Sequence, residues 1–159
     1  MIKIIYNITN FNPMTSMALR RINKELEFFK KEGIEGFTLT DSYDIWIWKG
    51  ILHGPIDSPY ENGNFPIQIT FEEDYPLRPP SFRFLKIPFH PNIYRDGKIC
   101  MDILEIGNWA PGQTIRTVIL SIRSLFMDPN PNSPANADAA KMYISDINLF
   151  NKTAKERSL

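Results

Sequence analysis

The chain holds one cysteine, Cys100, at the end of the run His90-Pro91-Asn92-Ile93-Tyr94-Arg95-Asp96-Gly97-Lys98-Ile99-Cys100 and directly before Met101-Asp102-Ile103-Leu104. One thiol cannot close an intramolecular disulfide or supply a multi-cysteine metal site, so packing, regulation or nucleophilic chemistry are its remaining uses. An inert small hydrophobe is the ordinary state of a free cysteine, but the residues around this one argue for chemistry. A cysteine hydrolase would pair Cys100 with His53 or His90. That pairing is poor: His53 precedes Gly54-Pro55 and fits a turn, and no helix begins at Cys100 to carry a nucleophile.

The thiol must be held by what surrounds it. Thr15 or Ser16 can cap a helix with Leu19, Ile22, Leu26 and Phe29 on one stripe and Arg20, Arg21, Lys24, Glu25 and Glu27 outside it, ended by Gly33. Three strand-like runs follow, at residues 45–52, 65–71 and 81–84, with Thr38-Leu39-Thr40 as a weaker fourth. Asn62-Gly63 marks a tight turn, and Pro66 points to an edge position or a bulge. Periodicity lapses from Phe89 to Gly112, a loop long enough to be functional or disordered. Thr114 opens a helix with Ile115, Val118, Ile119, Ile122, Leu125 and Phe126, apolar over so much of its girth that it should cross the middle of the protein. The segment 128–134 stops it, and helices from Ala135 to about Tyr143 and from Asp146 to about Lys155 complete the chain. Helix, antiparallel meander, long loop and helices make an α+β fold.

The 159 residues are 43% hydrophobic and 23% charged with a formal net charge of zero. That is ordinary for one globular domain, and no global field favours nucleic acid or an anionic membrane. No run approaches the ~20 apolar residues of a spanning helix, and the start is too short and polar-interrupted for a signal peptide. The expectation is a soluble chain in a reducing compartment, cytoplasmic or nuclear. Residues 1–13 form an extension that is disordered or lies on the domain, and residues 14–159 form the domain itself.

Several signatures then stand in register: His90-Pro91-Asn92 with the cysteine eight residues after Asn92, Gly54-Pro55 leading to Ser58-Pro59-Tyr60, Asp74-Tyr75-Pro76 before Pro79-Pro80, Trp109-Ala110-Pro111, and Asp128-Pro129-Asn130-Pro131. Together they resemble the ubiquitin-conjugating enzymes, from about Met14 to the last helix. The resemblance implies that Cys100 accepts the ubiquitin carboxyl terminus from the activating enzyme and yields it to a substrate lysine. Thioester exchange is nearly isoenergetic, so the step needs no cofactor; ATP is used upstream. Asn92 would donate to the oxyanion or stabilise its turn. His90 and Pro91 would shape the loop rather than act as a base. Asp102 would orient or help desolvate the incoming lysine, whose amine must lose its proton to attack. Ser133 stands where many members carry an acidic gate residue, so phosphorylation there could restore a charge of about −1.5 to −2; a turn or capping serine is the other reading.

Partner surfaces follow from the same resemblance. Arg20, Arg21 and Lys24 would dock the activating enzyme, or simply be solvated. Leu77 with Ala110, Pro111 and Gly112 would form the ligase platform; Leu77 replaces a phenylalanine found in some members, and RING-type ligases fit. Asn108 and Leu120 would face the bound ubiquitin, against loop solvation and core packing as their alternatives. Asp102 and the short 105–108 connection look more like ubiquitin carriers than members dedicated to SUMO or NEDD8. An inactive variant serving as a binding module is the competing class, but such variants lack the cysteine.

Overall fold

The computed structural model describes residues 13–159, so most of the expected extension lies outside it. Its order is α1 (Pro13–Glu32), β1 (Phe37–Asp44), β2 (Ile47–His53), β3 (Asn64–Thr70), β4 (Ser81–Phe84), a one-turn 3-10 helix (Asp102–Leu104), α2 (Ile115–Met127), α3 (Ala137–Ser145) and α4 (Ile147–Ser158). The strands form one antiparallel sheet in the order β1-β2-β3-β4. This is the expected α+β meander.

Alternation decides which face is buried. Trp48 and Leu52 on β2, Phe65, Ile67 and Ile69 on β3, and Phe82 and Phe84 on β4 are all 3% exposed or less. Their neighbours Lys49, Gln68 and Arg83 stay on the solvent side. α1 enters the core through Phe29, whose ring meets Phe37 and Trp48 at 5.8 and 5.7 Å. α2 enters through Phe126, 5.4 Å from Phe65 and 5.7 Å from Phe84. Each such ring contributes about 1.5–3 kcal/mol by leaving water.

Four local expectations are corrected. Thr15 and Ser16 already lie within α1, whose first described residue is Pro13, so neither is its cap, and a proline near a helix start loses no hydrogen bond that the helix could have made. Ile45 and Trp46 are the turn between β1 and β2, not strand, with Trp46 N donating to the Asp44 carboxylate at 3.0 Å. Pro66 lies unbulged in the interior strand β3, opposite Ile51. The β3–β4 ladder ends beside it at Ile67, and its carbonyl still accepts from Leu85 N at 2.8 Å, so its missing donor costs only a bond at the ladder's end. Finally, α2 keeps Arg116, Thr117, Leu120 and Ser124 on an exposed face, so it flanks the core rather than crossing the middle of it. Gly33 does end α1, at φ 66° with its N–H on Phe29 O.

Candidate functional site

After β4 the chain turns back as a small hairpin that ends at the thiol. Tyr94 N donates to Lys98 O and Gly97 N to Tyr94 O, both at 2.9 Å. Gly97 takes φ +86°, and a Cβ there would sit 2.2 Å from Phe84 O, so only glycine lets the hairpin lie against β4. Bridges join Ile93 to Ile99 and Lys98 to Arg83. Cys100 N donates to Asn92 O at 2.8 Å, which fixes the cysteine opposite the motif asparagine.

His90 anchors this hairpin from beneath. It is fully buried, with Phe126 stacked 5.4 Å away and Tyr60 at 5.7 Å. Its Nε2 donates to Leu125 O at 2.8 Å, and its Nδ1 accepts from Asn92 N at 2.9 Å. With both nitrogens occupied, His90 is no base for Cys100. Burial pulls its pKa from 6.5 down to about 4, partly opposed by the bond to Leu125. The unfolded chain therefore takes up this proton near pH 6.5 and the native chain near pH 4. Stability from the neutral ring is complete above pH 6.5 and is lost as pH falls through about 4, to the extent of about 3 kcal/mol. The urea midpoint should drop across that window while the imidazole NMR signals stay neutral at pH 5; a ring titrating near 6.5 would contradict this burial.

Asn92, 1% exposed, joins the hairpin to the segment after α2. Its Nδ2 donates to Asn130 O at 2.7 Å and to Ser133 O at 3.1 Å, while its Oδ1 accepts from Asn130 N at 2.9 Å. Pro91 O accepts from Ala135 N and Asn136 N at 2.8 and 2.9 Å. The double attachment brings Ser133 over the thiol, its Oγ 3.8 Å from Cys100 Sγ. Cys100 itself is partly exposed.

Tyr94 also belongs to this group, and sequence reasoning passed over it. Its phenol pKa is raised, and the neighbouring Cys100 is the main cause. Asp102 opens the 3-10 helix on an exposed surface and makes no ion pair among the described residues. His53 is committed elsewhere: Nδ1 bonds Asn64 Oδ1 at 2.7 Å and Nε2 bonds Thr38 Oγ1 at 2.9 Å, across three strands. The hydrolase reading therefore has no histidine to use.

The remaining expected residues fall into two groups. Leu77 is 53% exposed, and Ala110, Pro111 and Gly112 form a neighbouring exposed loop; Trp109 Nε1, donating to Pro76 O at 2.7 Å, ties the two together. Leu120 is 37% exposed, which rules out core packing, and Asn108 is exposed in its loop. Arg20 and Lys24 project from α1, but Arg21 turns inward onto Glu25 and the carbonyls of Pro111 and Gln113. Glu25, read from the sequence as outside the apolar stripe, is only 7% exposed. Its place three residues after Ile22 and four before Phe29 was the available signal.

Comparison with known proteins converges on one family. The family model described as ubiquitin-conjugating enzyme matches residues 21–158. Over 144 residues the chain is 39% identical to "Ubiquitin-conjugating enzyme E2 2" of Candida glabrata, covering 90% of this chain and 86% of that protein. It is 38% identical over 144 residues to the Saccharomyces cerevisiae protein of the same name, 90% and 83% covered. To "Ubiquitin-conjugating enzyme E2 3" of Arabidopsis thaliana it is 40% identical over 146 residues, 90% and 95% covered. A match running from α1 through α4 spans the hairpin, its anchors and the loop above the thiol alike, and on it the chain belongs to the ubiquitin-conjugating enzyme family, transferases that work through a cysteine thioester.

Proposed function

We propose that Cys100 carries ubiquitin as a thioester and passes it to a lysine amine with no metal or nucleotide at that step. One observation supports this above others: the thiol is partly exposed on a rigidly held hairpin with no histidine free to serve as a base. A thiolate is both a good nucleophile and a good leaving group, so exchange between thioesters needs little more than access and alignment. The work belongs in the cytoplasm or nucleus, where a lone thiol stays reduced. The relatives named for ubiquitin, with Asp102 in this chain, favour ubiquitin over other modifiers.

Around that centre the roles divide by position. Asn92 holds the loop and contributes a donor to the developing oxyanion, and Ser133 is the gate, open to control by phosphorylation. Arg20 and Lys24 meet the activating enzyme; Lys24 and Arg116 flank a cleft of about 480 Å³ beside them. Leu77 and residues 110–112 receive a RING-type ligase, and Asn108 and Leu120 face the carried ubiquitin. Asp102 orients the acceptor amine and draws off its proton. With Asp102→Ala, single-turnover discharge to free lysine at pH 7 should slow about tenfold while discharge to a small thiol stays within about twofold, and the lysine defect should shrink at pH 9 as the amine deprotonates unaided. Equal loss with both acceptors would assign Asp102 to the loop's shape instead, and a wild-type conjugate that discharges only to thiols would make the chain a relay for another cysteine enzyme.

A further inference from the structure

Arg21 faces away from solvent contacts that a docking residue would keep. Its Nε donates to Glu25 Oε1 at 2.7 Å, its Nη1 to Pro111 O at 2.9 Å and its Nη2 to Gln113 O at 2.6 Å. All three directions of the guanidinium are used, two of them on the backbone of the loop that follows Trp109. The carbonyls at 111 and 113 sit ninety and ninety-two residues along the chain from Arg21, so this is a tertiary strut and not helix-surface pairing.

Glu25 makes the strut rigid. Its Oε2 accepts from Ile115 N, the first residue of α2, at 2.7 Å, satisfying a donor that no helical carbonyl can reach. Its Oε1 also accepts from the Tyr75 hydroxyl, and Tyr75 is fully buried, with a pKa raised by burial and by the Glu25 charge, so the phenol stays a donor. Tyr75 precedes Pro76, whose carbonyl receives the Trp109 indole. A single buried carboxylate thus connects α1 to both exposed loops, the one bearing Leu77 and the one bearing Ala110, Pro111 and Gly112.

We propose that Arg21 and Glu25 together are positioning residues for the ligase platform, holding the 110–113 loop in its partner-ready shape from inside, and that Arg21 is not a docking cation. The inference rests on the reading of Leu77 and residues 110–112 as the ligase surface. Pre-forming a loop spares the partner the cost of ordering it, so loss of the strut should appear in affinity for the ligase. Lysine retains the charge and a bond to Glu25 but cannot donate in three fixed directions, which makes Arg21→Lys the selective variant and keeps the buried carboxylate paired.

The test measures binding of a RING-type ligase domain and ligase-stimulated discharge to lysine for Arg21→Lys and Leu77→Ala, with ligase-free discharge of each as its own reference and thermal melts confirming that both are folded. The expected result is about tenfold weaker ligase binding for both, with Arg21→Lys raising the ligase concentration for half-maximal stimulation while the maximal rate holds, and amide NMR shifts moving at Gly112 and Gln113. Weaker binding in Leu77→Ala with none in Arg21→Lys overturns the positioning role alone. No effect of Leu77→Ala overturns the platform reading, and the consequence drawn for Arg21 with it.

Discussion

Replacing Cys100 by alanine abolishes every covalent adduct with ubiquitin, and replacing it by serine traps one. In wild-type protein incubated with activating enzyme, ATP and ubiquitin, a conjugate should form that collapses under thiol reductant. Because the chain holds a single cysteine, any reductant-labile adduct is assigned to Cys100 without further mapping. Cys100→Ser should instead accumulate a reductant-resistant oxyester. An alkoxide leaves far less readily than a thiolate because its conjugate acid is much the weaker, so discharge should slow strongly and the adduct should accumulate. Neither change should disturb the fold. The cysteine is fixed by its backbone bond to Asn92 O, and its partly exposed side chain makes one polar contact at 3.8 Å, to Ser133 Oγ, so stability should shift by less than about 1 kcal/mol. An adduct that persists in Cys100→Ala, or a wild-type protein that forms none, would remove the thioester mechanism from this chain.

The elements legible in the sequence were those written in local chemistry. Gly33 at the end of α1 and Thr114 at the start of α2 announce themselves because cap and terminus are one interaction among neighbours, Thr114 Oγ1 accepting from Thr117 N. The motif around Cys100 was legible for the same reason. Most of what escaped depended on distant partners. Trp46 is the exception: it looked like strand within a continuous apolar run, although the Asp44 carboxylate that accepts from its N–H in the turn lies only two residues away. Leu120 belonged to an apolar-looking helix whose exposed face is set by what packs beside it. Glu25 and Arg21 read as surface charge on α1, since nothing local reveals that Ile115 N and two carbonyls some ninety residues away need a charged partner. Tyr94 was in view but unassigned, because its relation to the thiol exists only once Gly97 has folded the hairpin back.

Asn92→Ala should combine a stability loss with a defect confined to one half of the reaction. The side chain is buried and makes three hydrogen bonds to the 130–133 backbone, so its removal leaves Asn130 N, Asn130 O and Ser133 O to find water. Asn130 and Ser133 lie at an exposed loop, where water can reach part of what is lost, which limits the penalty to about 2–4 kcal/mol and the melting temperature to a fall of about 5–15 °C. Charging from the activating enzyme needs only an accessible thiol and should fall less than about tenfold. In the proposed role of Asn92, attack by lysine creates an oxyanion beside the same amide, and loss of one such donor costs about 10²–10³ in rate. The resting geometry sets a condition on that donation: both amide protons already point at carbonyls, and the longer bond, 3.1 Å to Ser133 O, is the one available for exchange as the tetrahedral centre forms. Ser133 O would then lose a bond at the same moment its hydroxyl sits over the sulfur, coupling the gate to the chemistry. Single-turnover discharge measured at 10 °C, well below the variant's melting point, separates the two contributions: a lysine defect that persists there belongs to the transition state, and one that vanishes there reduces Asn92 to a bracket between two loops.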